Sequence, residues 1–152
     1  MTSSLVYPEP PSNASKELRE SYTEAANGDM SMQIELGMAG TDNNPYVPFD
    51  HGIFWLERAA DQGSAFAMSL LSSAYLRSDE HYNFATGRFW NRMAADHGDE
   101  ECILIEKILD VLGECCISDI LDCIEELYQR DSEGVFNPLI LGDSFFCGSY
   151  VI

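Results

Sequence analysis

Basic side chains are scarce in this sequence. Eight lysines and arginines stand against 26 aspartates and glutamates in 152 residues, a formal charge of −18 at pH 7. A field of that sign repels phosphate, so nucleic acid and anionic membranes are not expected as direct ligands, whereas a basic protein would be drawn in. Long apolar runs are missing too. No stretch of 18 apolar residues occurs, so no membrane-spanning helix is expected. The first 14 residues are polar and proline-rich, without a basic segment followed by an apolar one; no secretory signal is expected, and a cytoplasmic setting is.

Metal and nucleophile signatures are equally thin. The five cysteines, Cys102, Cys115, Cys116, Cys123 and Cys147, include no C-x-x-C spacing, and His51, His81 and His97 lie far from most of them. An odd number of cysteines without secretory context reads as reduced thiols, with no metal site and no cofactor. Cys115-Cys116 beside Glu114 is the one conceivable nucleophile, but a pair at a helix junction is more simply a pair of buried thiols. There is no glycine-rich phosphate loop, no nucleophile elbow and no paired histidine motif. No enzymatic activity is expected, and no catalytic residue is assigned.

What the chain does contain is an internal repeat. Gly52-Ile53-Phe54-Trp55-Leu56-Glu57-Arg58-Ala59-Ala60-Asp61-Gln62-Gly63 returns 35 residues later as Gly87-Arg88-Phe89-Trp90-Asn91-Arg92-Met93-Ala94-Ala95-Asp96-His97-Gly98, with seven of twelve positions identical. Gly28, Gly63 and Gly98 keep the same spacing, which gives three registers. A self-match at this period marks a stacked repeat array. Each glycine predicts a helix stop and is followed by a second helical segment. In the middle copy, Ala67, Leu70-Leu71 and Ala74-Tyr75 have the spacing of one buried face. Asp50 is expected to cap the helix that follows the 41–49 loop.

The organisation predicted is a loose leader over residues 1–13, a repeat array over 14–112, and a capping helix with an apolar tail over 113–152 in the same domain. Helical pattern starts near Asn13 or Ser15. The last amphipathic helix begins at Ser118-Asp119 and ends near Arg130, and the tail from Val135 to Ile152 is expected to cover the end of the array.

The unit Ala65-x-Ala67-x-x-Leu70-Leu71-x-x-x-Tyr75, followed by Trp90-x-x-x-Ala94-Ala95-x-x-Gly98, resembles the Sel-one-like repeat, a relative of the tetratricopeptide repeat. Leu36-Gly37 matches the Leu-Gly pair of that pattern, and Val47-Pro48-Phe49-Asp50 its turn before the second helix. The likeness spans about residues 17–112. It departs at Gly40, where the pattern has tyrosine, and at Glu100, Glu106 and Asp110, which make the third copy degenerate. The resemblance implies an all-α fold: a short right-handed α/α solenoid of helix-turn-helix repeats. Gly28, Trp55, Ala59, Ala60, Gly63, Tyr75, Trp90, Ala94, Ala95 and Gly98 are then scaffold residues rather than a site.

Proteins of this type include inhibitors of secreted antibacterial effectors. Small size, strong acidity and the lack of a catalytic motif therefore point to a cytoplasmic immunity protein that binds a basic cognate toxin. Alternatives are an adaptor that docks a peptide or helix in the solenoid groove, and an acidic nucleic-acid mimic. Thirteen of the 26 acids lie between Asp96 and Glu133, opposed by Lys107 and Arg130. Candidate partner-binding residues are Glu100, Glu101, Asp122, Glu125 and Glu126 on this acidic stretch, Gln33, Met68 and Ser72 on the first helix of each repeat, and Tyr46 and Tyr82 in the loops.

Overall fold

The computed structural model describes residues 6–113 and 121–122. The chain divides into two compact units, 1–114 and 115–152. The described part of the first unit is all-α: α1 (Lys16–Ala26), α2 (Met30–Thr41), α3 (Phe49–Asp61), α4 (Ala65–Leu76), α5 (Phe84–Asp96) and α6 (Glu100–Leu112), with no strand among the described residues. Each helix packs chiefly on its neighbours in sequence, the arrangement of an α/α repeat array. Of the expected capping helix only Leu121 and Asp122 are described, and both are helical. The rest of that helix and the tail lie outside the described residues.

The 35-residue period is written into the turns. Gly28, Gly63 and Gly98 take φ values of 97°, 92° and 92°, a region that costs a Cβ-bearing residue about 1–2 kcal/mol. Each donates its N–H to the carbonyl three residues back in the helix it ends, that of Ala25, Ala60 or Ala95, at 3.1, 2.8 and 3.0 Å. The next residue donates to the carbonyl of Glu24, Ala59 or Ala94. This double closure satisfies carbonyls that a helix end leaves free. The same next residue then caps the following helix: Asp29, Ser64 and Asp99 accept from Met32, Ala67 and Cys102 backbone N–H at 2.9, 3.1 and 2.9 Å. One residue thus ends one helix and starts the next, which is why the turns are so short.

The other helix starts differ. Ser15 caps α1 and Asn83 caps α5 through their side chains. Asp50 does not cap α3. Pro48 holds that position without a side-chain hydrogen bond, and Asp50 falls in the first helical turn, where its charge still favours the helix dipole. The proline sets the entry backbone, so the helix begins one residue before the aspartate.

The core has two parts. Tyr22, Ala25, Leu36, Val47 and Trp55 form one, and Ile53, Leu56, Ala59, Ala60, Ala67, Met68, Leu71, Ala94 and Cys102 the other. Helix α3 contributes to both, with Trp55 facing the first and Leu56 the second. The expected leader is tied down: Tyr7 stacks on Trp55 with centroids 5.8 Å apart and planes 16° from parallel, and meets Phe54 edge-on.

Candidate functional site

Helix α6 opens on a cluster of acids. Asp99 at the start of α6 is occupied as the helix cap. Glu100 and Glu101 follow it in the first turn and are exposed, with exposed Asp96 close before them in sequence. Carboxylates suit a helix N-terminus, where the dipole is positive, so this turn holds its negative charge at low cost.

Further along α6, Glu106 turns inward. The Glu106 side chain is 14 % exposed and faces two arginines of α5, with Arg92 Nε at 3.3 Å and Arg88 Nε at 3.6 Å from Oε2. Its Oε1 accepts from Asn91 Nδ2 at 2.9 Å. Asn91 is fully buried and also donates to the Cys102 carbonyl at 3.1 Å, while its Oδ1 meets no donor among the described residues. Arg88 reaches Asp110 as well, at 2.5 Å. Two of the three positions that look degenerate in the third copy, Glu106 and Asp110, are therefore partners of arginines that the second copy supplies. An evenly spaced row of outward carboxylates along residues 99–126 is not what the described part of this stretch presents.

The groove assignment needs correction. Gln33, Met68 and Ser72 are buried. Gln33 ties three segments together: its Nε2 donates to the Ala25 carbonyl at 2.9 Å and its Oε1 accepts from Gln62 Nε2 at 2.8 Å. Helices α2 and α4 each pack against the helices before and after them in sequence, and these three side chains fall on packed faces while Glu35, Met38 and Phe66 fall on exposed ones. Tyr46 and Tyr82 are exposed, at 53 % and 42 %, in the loops before α3 and α5. A side-chain turn supports the first loop, where Tyr46 N–H donates to Asn44 Oδ1 at 2.8 Å. Asp122 is exposed, and Glu125 and Glu126 lie outside the described residues.

Set against protein-family models, curated proteins and solved structures, the chain matches none.

The residues read as scaffold occupy structural places. Trp55, Ala59, Ala60 and Ala94 are buried. Ala95, Tyr75 and Trp90 are half-buried against the second core. The Tyr75 carbonyl accepts the Asn83 N–H at 3.0 Å and its ring meets Phe49 edge-on. Phe49 in turn stacks on His81 at 3.7 Å, joining the start of α3 to the loop before α5.

Among the described residues no group of three His, Cys, Asp or Glu side chains is placed to hold a metal ion. Nor is any described helix long and apolar enough to cross a membrane. The Cys102 thiol is buried, and burial together with Asp99, Glu101 and Glu106 pushes its pKa up, the opposite of what a nucleophilic thiolate needs. Tyr22 donates to or accepts from His51 Nδ1 at 2.9 Å, and burial, with Asp50 nearby, pushes its phenol up to about 12. These groups sit in separate parts of the array, each with a packing role.

Two features had no clear signal in the sequence. The arginine–Glu106 network joins residues 14 to 22 positions apart with no motif, and the seat of Tyr7 depends on the path of a proline-rich leader.

Proposed function

We propose that this chain is a protein-binding repeat module of the Sel-one-like type, acting as a cytoplasmic immunity protein that binds and inhibits a basic bacterial toxin. The observation that carries this reading is the charge: a chain of net −18 whose repeated residues serve packing in a helical array, and whose exposed acids include the first turn of α6. Complementary charge steers a basic partner toward such a surface and raises association rates by about one to three orders of magnitude at low salt. A binding role uses the α/α array as it stands, since stacked repeats present extended surfaces without a catalytic cleft.

The adaptor reading keeps one specific support. Tyr46 and Tyr82 present exposed rings from corresponding loops of successive repeats, and tyrosine is a favoured contact residue at interfaces. The nucleic-acid mimic is less favoured, because Glu106 and Asp110 spend their charge on Arg88 and Arg92.

The test is co-expression. The protein encoded by the neighbouring reading frame is produced in a susceptible host with and without this chain. Relief of toxicity together with a purified complex supports the reading. A non-toxic neighbour, and no toxin recovered by pull-down from the source cells, overturns it.

A further inference from the structure

The array contains its own control for one exposed surface. Phe54-Trp55 on α3 and Phe89-Trp90 on α5 are the same two residues one period apart. Their internal geometry is alike: ring centroids 5.1 Å apart at 86° in the first pair, and 5.2 Å at 74° in the second. Their cover is not. Trp55 is fully buried and Phe54 half-buried, because Tyr7 lies flat on the indole and edge-on to Phe54, and Tyr22 meets the indole edge-on from α1. Trp90 is half-buried and Phe89 is 56 % exposed. One period after Tyr22 stands Glu57, so the second pair lacks that ring as well.

The segment that covers the first pair has a definite chemistry. Tyr7 precedes Pro8, and Pro10 and Pro11 follow, so the backbone is held extended before it binds. Segments of this kind dock on aromatic surfaces at low entropic cost. The turn that joins this segment to α1 is closed by the Ala14 N–H on the Pro11 carbonyl and held by Arg19, which donates to the carbonyls of Ser12 at 2.7 Å, Ala14 at 3.2 Å and Pro11 at 3.4 Å.

We propose that Phe89 and Trp90 form a docking site for an extended, proline-rich segment of a partner protein that carries an aromatic ring, seated as the Tyr7 ring is seated on Phe54 and Trp55. The site is on α5 and is independent of the acidic turn of α6; either can fail without the other.

The probe is a synthetic peptide with the sequence of residues 6–13, titrated into the full chain and followed by tryptophan emission. Saturable binding is expected, weakened at least tenfold by Phe89→Ser. That variant removes an exposed ring, and circular dichroism shows whether it folds as the parent does. Tyr7→Ala is the second variant and should leave the affinity for this site unchanged. Three results overturn the proposal: no saturable binding at millimolar peptide; binding that survives Phe89→Ser and strengthens in Tyr7→Ala, which places the peptide on Trp55; or concentration-dependent dimerisation of the free chain that Phe89→Ser abolishes, which makes a second copy the occupant.

Discussion

Gly40 of α2 and Gly52 of α3 meet backbone to backbone. A Cβ on Gly40 would stand 2.6 Å from the Gly52 Cα and 2.8 Å from its nitrogen, and one on Gly52 would stand 2.8 Å from the Gly40 Cα. Here the chain departs from the tyrosine of the Sel-one-like pattern, and the gain is a close helix crossing. Alanine at either position improves helix propensity by about 1 kcal/mol, yet the clash is with backbone, which cannot rotate away. Gly40→Ala and Gly52→Ala should each destabilise the chain by a net of about 1–3 kcal/mol, read as a lower urea midpoint. An unchanged midpoint would show that the two helices can part freely.

The two tryptophans look equivalent in the repeat and are not equivalent in the fold. Trp55 is fully buried between α1, α3 and the leader; Trp90 is half-buried. Trp55→Ala should cost about 3–5 kcal/mol and Trp90→Ala distinctly less. The Trp55 indole N–H has no acceptor among the described residues, so the loss is one of packing, and Trp55→Phe should recover part of it. Denaturant titration of the three variants ranks them.

Glu106 is a charge on which neighbours depend. Glu106→Ala removes the acceptor of Asn91 Nδ2 and leaves Arg88, a half-buried side chain, with Asp110. A loss of about 1–3 kcal/mol is expected. The Arg92–Glu106 pair alone should contribute less than about 1 kcal/mol, since Arg92 is mostly exposed. A double-mutant cycle on the pair separates the two effects.

Alkaline pH should weaken the array through Tyr22. Burial is the larger cause of its raised pKa, with Asp50 second, and the phenol moves from 10.0 to about 12. The folded chain holds this proton more tightly than the unfolded chain. The corresponding stability is fully present below pH 10 and is lost as pH rises from there through about 12. Tyr22→Phe should flatten that part of the pH–stability curve, while lowering stability at neutral pH because His51 Nδ1 loses its partner. An equally steep alkaline decline in the variant would remove Tyr22 as its source.

The period of 35 made the helices and their turns legible before any coordinates. Gly63 and Gly98 announced helix stops with a further helix after each; the capping role of Ser64 and Asp99 carried no separate signal. The surface was harder to read. Gln33 and Ser72 are polar, and polarity on a helix suggests solvent, but in an array α2 and α4 pack against the helices before and after them. Glu106 and Asp110 looked like decay of the repeat because their arginines sit a helix away in sequence. Tyr7 carried no periodic signal at all, since its place follows from the chain path before α1.

The central claim is that negative charge on this scaffold recruits a basic protein. Its most direct measurement is the affinity of the chain for the neighbouring gene product, at low and at raised salt, for the parent and for a Glu100→Lys, Glu101→Lys double variant. The account predicts binding that weakens with salt, and a loss on the order of tenfold or more in the variant at low salt, with the helical content retained and only the small drop in melting temperature that two lysines at a helix N-terminus bring. Binding that is insensitive both to salt and to this charge reversal would contradict it.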